Sequence, residues 1–277
     1  MRFRCSTQYM SDPAVSVITP SYQHAEFLAD NLRSVRSQTG PSVEHIVVDG
    51  GSTDATVNLL RKFEDDYDLR WISEPDGGQS EAINKGIEMA NGEWLIWVNS
   101  DDYLLEGALE TFADVRDRNP TCDIVYGDHL FVDADGNEIG RKYNARPSTF
   151  VHKYYYQFAG NHSTFFKRDV LESVGGIDES YEYAMDTELF WRILDADIRM
   201  ARVTAFLAAR RLHEDAKTTG SPPEERTAEI KRLERQYPQT RIERLLPRPF
   251  LIVTAACLQA CYHLLDGRPQ AIPSMLS

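Results

Sequence analysis

The residues in this 277-residue chain with the clearest chemical potential are acids at the ends of short apolar runs. Foremost is Asn99-Ser100-Asp101-Asp102, directly after Trp94-Leu95-Ile96-Trp97-Val98. Two carboxylates beside an amide and a hydroxyl make a candidate hard-cation site, since Mg2+ and Mn2+ take oxygen ligands and often bridge to substrate phosphates. The same four residues also read as an Asp-rich turn that caps the next helix. Asp49 precedes Gly50-Gly51-Ser52-Thr53-Asp54, and Asp76 precedes Gly77-Gly78. Further on, Asp186 stands near the start of a helical pattern, and His213 closes a β-rich stretch.

Alternating strands and helices must position these acids. Val15–Thr19, Val43–Val48, Leu69–Ile72 and Trp94–Val98 are short apolar runs that read as strands. Between them, Leu28, Leu32 and Val35, a segment ending at Phe63, and Ile83, Ile87 and Ala90 carry helical spacing. Asp54 or Thr53 can cap the second helix, and the Gly50-Gly51 pair frees the turn before it. Such alternation predicts βαβ units, a mainly parallel sheet and an α/β fold. Ligands in open α/β sheets gather beyond the carboxyl ends of the strands, the edge that would hold Asp49, Asp76, Asp101 and Asp102.

Past a helix near 106–119 the pattern changes. Ile124–Asp128 and Leu130–Val132 read as short strands with a hairpin turn at Asp135-Gly136. A helix ends at Gly175-Gly176, another opens at Met185, and 199–212 reads as two short strands or one bent one. On the Met185 helix, Glu188 and Arg192 read as a surface ion pair and Trp191 as core. Tyr154, Tyr155 and Tyr156 could stack on a sugar, but packing is the favoured reading. Residues 1–13 are an irregular leader, and a charged helix is expected from Pro222 to Gln236. Phe250–Leu265 is strongly apolar with arginines on its flanks, either a helix lying in a membrane interface or one docked on the domain.

The formal net charge of −13 argues against a nucleic-acid binder. Cys5, Cys122, Cys257 and Cys261 form no C-x-x-C pair, so neither a disulfide framework nor a zinc site is expected. Cys257 and Cys261 would share a helix face, with packing as the expected role. The first residues lack the apolar core of a signal peptide, which sets a cytoplasmic location as the expectation, at the inner face of the cell membrane if the tail touches lipid.

In order and spacing, Val-Ser-Val-Ile-Thr-Pro-Ser-Tyr (15–22), His-Ile-Val-Val-Asp-Gly-Gly-Ser-Thr-Asp (45–54), Asn-Lys-Gly-Ile (84–87), Asn-Ser-Asp-Asp (99–102), Gly-Gly-Ile-Asp (175–178) and Met-Asp-Thr-Glu-Leu (185–189) resemble the family 2 glycosyltransferases. The resemblance covers about residues 14–213. It implies a GT-A fold, a three-layer α/β/α sandwich with a mixed, mainly parallel sheet, followed here by a helical extension over 216–277. It also implies a nucleotide-diphosphate-sugar donor, a divalent metal (Mg2+ or Mn2+) and inversion at the anomeric carbon. The nearest likeness is to non-processive enzymes that build surface polysaccharides such as O-antigen, with a glycan or lipid-linked acceptor. The nucleotide-binding half would span about 14–103 and the acceptor half about 104–215.

Carried over by position, Thr19, Pro20 and Tyr22 match the turn against the nucleoside, and Asp49 matches the acid that bonds the base. Asp76 and Gly78 match the loop closing over the nucleotide, while Asn84, Asn99 and Ser100 fall in matching motifs. Asp101 matches the metal-reaching acid of D-x-D, with Asp102 and His213 as further candidate metal ligands. Asp186 matches the catalytic base. The first Asp of D-x-D is Asn99 here, which brings an acceptor oxygen but no charge. Two other readings stand beside this one: a sugar-phosphate nucleotidyltransferase, which would need a glycine-rich basic loop after the first strand, and a non-catalytic sugar-nucleotide-binding relative.

Overall fold

The computed structural model describes residues 14–155, 158–196, 198–214, 216, 224–237, 240 and 243–265. The leader expected over 1–13 lies outside them. The first half winds as expected: β1 (Val15–Ser21), α1 (Ala25–Arg36), β2 (Val43–Asp49), α2 (Thr56–Phe63), β3 (Leu69–Ser73), α3 (Gln79–Met89) and β4 (Trp94–Trp97). β2 and β4 flank β1 in parallel, and β3 continues from β2.

The second half is β5 (Tyr103–Leu104), α4 (Ala108–Arg118), β6 (Ile124–Val132), β7 (Glu138–Lys142), α5 (Thr149–Tyr155), β8 (Thr164–Lys167), α6 (Arg168–Ser173), α7 (Met185–Asp195) and β9 (Met200–Arg211). The nine-stranded sheet has the order β3-β2-β1-β4-β8-β6-β9-β5, with β7 hydrogen-bonded to β6. β8 pairs antiparallel with both β4 and β6, so β6 and β9 run with the first four strands while β5, β7 and β8 oppose them. The two short strands expected over 124–132 are one, and 199–212 is also a single strand. Register shifts at Tyr126/Asp128 and Asp128/His129 are where that pair bends.

Helices cover both faces. Ile18, Ile46, Val48 and Trp97 pack with Ile83 of α3, Leu171 of α6 and Leu189 of α7. Val17, Ile96 and Phe165 pack with Val35 of α1 and Phe112 of α4, and Val47 with Leu32 of α1 and Leu60 of α2. Alternation of strand side chains between faces produces this three-layer arrangement. Gly86 lets α3 close on β1, since a Cβ there would overlap Ile18.

Two helices follow, α8 (Glu224–Gln236) and α9 (Arg248–Leu265). α8 sends Leu233 into the cluster that holds Ile18 and Ile83, so it shares the main core. α9 docks Leu251 and Ala255 on Tyr154 of α5, which places Tyr154 in packing, and leaves Phe250, Ile252 and Val253 exposed. Cys257 and Cys261 are exposed, not packed as expected. No helix among the described residues is long and apolar enough to cross a membrane.

Candidate active site

A cavity of about 800 Å3 opens beyond the carboxyl ends of β1, β2 and β4, reaching across to β6, β7 and β9. Pro20 and Tyr22 line it from the end of β1, Gly50 from the end of β2, and Asp76, Gly77 and Gly78 from the loop into α3. Gly78 has a φ of 122°, a conformation open to glycine, and its N–H donates to the Asp76 carboxylate at 2.9 Å. A Cβ on Gly50 would stand 3.1 Å from both Asp76 oxygens, so Gly50 keeps that carboxylate's place clear.

Asn99, Ser100, Asp101 and Asp102 all line the cavity, and a buttress beneath fixes their turn. Asn31, a buried amide in the apolar stripe of α1, donates to the backbone carbonyls of Asn99 and Asp102, each at 3.0 Å. Gln79 donates to the Asn99 side-chain oxygen at 2.8 Å, and His24 shares a 2.9 Å hydrogen bond with Ser100. None of these three residues was singled out by motif. The signal for Asn31 was a lone amide on a helix face that otherwise buries Phe27, Leu28, Leu32 and Val35.

The adjacent acids face different surroundings. Burial pushes the Asp101 carboxyl up, but the hydrogen bond from His213 and the proximity of His24 outweigh it and hold Asp101 below the usual carboxylate range. His213 Nε2 lies 3.1 Å from Asp101 Oδ2. Burial, reinforced by the charge of Asp101, raises Asp102 well above that range. Asp102 accepts the Arg211 N–H at 2.9 Å and lies 3.8 Å from His162. Asp102 thus lines the cavity as Asp101 does, but one of its oxygens is tied inward by the backbone of Arg211. Among the described residues, no group of three or more His, Cys, Asp or Glu side chains could hold a metal ion.

Asp186 lines the cavity from the first turn of α7, its Oδ1 accepting the Thr187 N–H at 2.6 Å. The segment before it is held by α8. Glu229 accepts the N–H groups of Glu182, Tyr183 and Ala184 at 2.8, 2.9 and 2.9 Å, and Arg232 lies 4.4 Å from the centroid of the Tyr181 ring. Sequence reading missed Glu229 because the contact joins segments more than forty residues apart.

Three assigned nucleotide contacts fall elsewhere. Thr19 is fully buried, its hydroxyl bonded to His45 at 2.9 Å and to Asn31 at 3.3 Å, so it supports the acid turn from below. Asp49 is also fully buried, with both oxygens taken by Ser52 and by Ser73 at 2.6 Å, and it does not line the cavity. Asn84 clasps the backbone of Ile177 through both its amide groups at 2.9 Å, tying α3 to the glycine loop after α6. Nor is Glu188–Arg192 a surface pair: Glu188 is buried, and Arg192 also donates to the carbonyls of Val174 and Gly176. Trp191 stacks on Tyr237 at 4.6 Å.

The far wall of the cavity is basic. Lys142 of β7 and Arg210 of β9 line it beside His129 and His162, whose rings meet edge to face at 4.3 Å. Burial lowers both imidazoles and Lys142, helped by Arg210 at His162 and Lys142 and by His162, then Arg210, at His129.

Residues 16–175 match the family model described as Glycosyl transferase family 2. The chain belongs to glycosyltransferase family 2. Among relatives of this family 2 chain, the chondroitin synthase of Pasteurella multocida is 28% identical over 182 residues, which is 65% of this chain and 19% of that protein. A mycobacterial PGL/p-HBAD biosynthesis glycosyltransferase (Mycobacterium bovis) is 35% identical over 122 residues, covering 43% of this chain and 48% of its own length. The chain thus spans from about a fifth to about half of these relatives. S. aureus TarS in complex with UDP-GlcNAc superposes with a TM-score of 0.66 at 20% identity, over 90% of this chain and 72% of that one. A mannosyltransferase from Pyrobaculum calidifontis in complex with GDP-Man and Mn2+ gives 0.57 at 19%, over 96% and 79%. These likenesses establish the GT-A-type fold.

Proposed function

We propose that this chain is an inverting glycosyltransferase that moves a sugar from a nucleotide-diphosphate sugar to an acceptor hydroxyl, in the building of surface polysaccharide or a related glycan. The observation that carries the reading is a single cavity uniting the Gly50/Asp76–Gly78 rim, the Asn99–Asp102 turn and the Asp186 carboxylate. Pro20, Tyr22 and the Asp76–Gly78 loop flank the nucleoside, and the diphosphate lies toward Asn99, Ser100 and Asp101. The acceptor oxygen attacks the anomeric carbon, the bond to the diphosphate oxygen breaks, and Asp186 takes the hydroxyl proton.

Asp101 and His213 suit a divalent cation, Mg2+ or Mn2+. A carboxylate and an imidazole converge within 3.1 Å, an oxygen and a nitrogen donor that such a cation accepts. The cation would neutralise charge developing on the leaving diphosphate. Asp101 would supply the anionic ligand, and Ser100 carries a hydroxyl oriented by His24, while the Asn99 amide oxygen accepts from Gln79.

We assign residues 14–215 to the glycosyltransferase domain and 216–277 to an extension, whose α8 braces the domain. The exposed Phe250, Ile252 and Val253 of α9 support peripheral contact with the inner membrane face and a lipid-linked acceptor. The deciding experiment is Asp186→Asn. It should fold and bind nucleoside diphosphate as the parent does, yet lose at least about a hundredfold in transfer, as removal of a general base does. An undiminished rate would overturn the mechanism.

A further inference from the structure

The Asp102 N–H donates to the Asn99 carbonyl at 3.0 Å and closes the segment into a β-turn. Ser100 and Asp101 are its two central residues, and Asn31 grips both of its ends, donating to the Asn99 and Asp102 carbonyls. Behind Asn31 runs a line of polar side chains. Thr19 Oγ1 lies 3.3 Å from Asn31 Oδ1, His45 Nε2 lies 2.9 Å from Thr19 Oγ1, and the Tyr67 hydroxyl lies 2.8 Å from His45 Nδ1. Asn31, Thr19 and His45 are each at most 1% exposed.

The turn dictates the direction of every bond in this line. A carbonyl only accepts, so both hydrogens of the Asn31 amide point at the turn and Oδ1 faces Thr19. Oδ1 also only accepts, so the Thr19 hydroxyl donates to it. That spends the one hydrogen of the hydroxyl, and His45 must then donate to Thr19 through Nε2–H. A neutral imidazole carries a single N–H, so Nδ1 accepts from the Tyr67 hydroxyl. The opposite order would have Thr19 donate to His45 and leave Asn31 Oδ1 buried without a donor, at the full desolvation cost of that oxygen. Burial lowers His45 to about 3 and raises the Tyr67 hydroxyl, so the ring stays neutral and the phenol keeps its proton.

We propose that Tyr67, His45, Thr19 and Asn31 form a one-way hydrogen-bond chain, every donor pointing toward the acid turn, that positions Ser100 and Asp101 for the metal and the donor diphosphate. None of the four lines the cavity, so they are positioning residues that act through the backbone of the turn. Bonds aligned in one direction polarise one another, and the chain ends on the two carbonyls that set the shape of the turn. The role given to the turn rests on the glycosyltransferase reading; the direction of the chain rests on the hydrogen-bond geometry alone.

Two measurements on the full chain test the proposal. Long-range proton–nitrogen correlation NMR of histidine-labelled protein near neutral pH, with His45 assigned through its backbone, should show Nε2 protonated and Nδ1 unprotonated. A protonated Nδ1 would overturn the direction without any variant having to fold. Calorimetry then compares binding of UDP, GDP and dTDP with Mn2+ and with EDTA. In Thr19→Val the gain in affinity from Mn2+ should fall by about fivefold or more, the factor that one buried hydrogen bond contributes, because the Asn31 amide loses the donor that orients it. Thr19→Ser keeps the hydroxyl and should restore the gain to within about twofold of the parent. A parent-like gain in folded Thr19→Val, or a gain in Thr19→Ser no better than in Thr19→Val, would overturn the positioning role. So would a Thr19→Val protein that fails to fold beside a folded Thr19→Ser, which assigns the chain to stability alone, and so would a parent that gains nothing from Mn2+. If no nucleoside diphosphate binds the parent protein, it is the glycosyltransferase reading that fails, and the His45 tautomer still decides the direction of the chain.

Discussion

Replacing Glu229 by Ala tests whether the helix after the catalytic domain governs the segment bearing the proposed base. The Glu229 carboxylate accepts three successive N–H groups, from Glu182, Tyr183 and Ala184, directly before α7. A hydrogen bond to a charged group contributes about 1.5–3 kcal/mol when desolvated. Glu229 is half-buried, so solvent screening reduces this to roughly 0.5–1 kcal/mol per bond. Three bonds sum to about 1.5–3 kcal/mol, a change of roughly tenfold to a hundredfold in the balance between ordered and disordered segment. With Asp186 as the proposed base acting from the ordered segment, kcat should fall by up to about tenfold while KM for the proposed donor stays near the parent value. Glu229→Gln should lie between, since its NH2 would oppose at least one backbone N–H. Hydrogen exchange supplies a readout independent of turnover: the amides of 182–184 should exchange faster, while those of β1 and β4 keep their protection. Parent-like exchange at 182–184 together with parent-like kcat would refute the bracing role of α8.

Three other outcomes are expected. EDTA should abolish transfer with recovery on adding Mn2+ or Mg2+, and Asp101→Ala should weaken metal-dependent nucleotide binding more than Asp102→Asn does; equal losses would contradict the inward commitment of Asp102. Burial lowers His45 to about 3 and His152 to about 4, so both stay neutral in the fold while the unfolded chain protonates near 6.5. Between those values the unfolded state binds more protons and stability rises with pH; these two residues should therefore withdraw roughly 3 kcal/mol as pH falls from 7.5 to 5.5, measured by urea unfolding, and a flat profile would refute it. Gly92→Ala should lower stability by about 1–3 kcal/mol, because its Cβ would lie 2.6 Å from the Ser16 nitrogen and 2.8 Å from the Val15 carbonyl carbon, backbone that cannot yield; an unchanged Tm would count against the packing described.

The sequence by itself determined the alternation of β1 through β4 with α1 through α3, and with it the edge where Asp49, Asp76 and Asp101 gather. Those features follow from local periodicity, and a parallel βαβ sheet brings its strand ends together whatever the side chains do afterwards. It also gave away the family, because glycines and acids recur at fixed distances along one chain. What tertiary structure decided is which of those acids faces the cavity. Asp101 and Asp102 are neighbours in sequence, yet one meets His213 and the other is closed in against Arg211, a difference set by β9 more than a hundred residues away. Thr19, Asp49 and Asn84 carry motif-matching types but spend their hydrogen bonds on His45, Ser52 and Ile177. Asn31 and Glu229 belong to no recognisable motif, and they hold the acid turn and the Asp186 segment in place. The basic wall comes from three separate segments joined only by strand register and a turn. The local sequence Asn99-Ser100-Asp101-Asp102 marks where chemistry could occur; long-range contacts decide how its two acids differ, the His213 hydrogen bond holding Asp101 below the usual carboxylate range while burial and the charge of Asp101 raise Asp102.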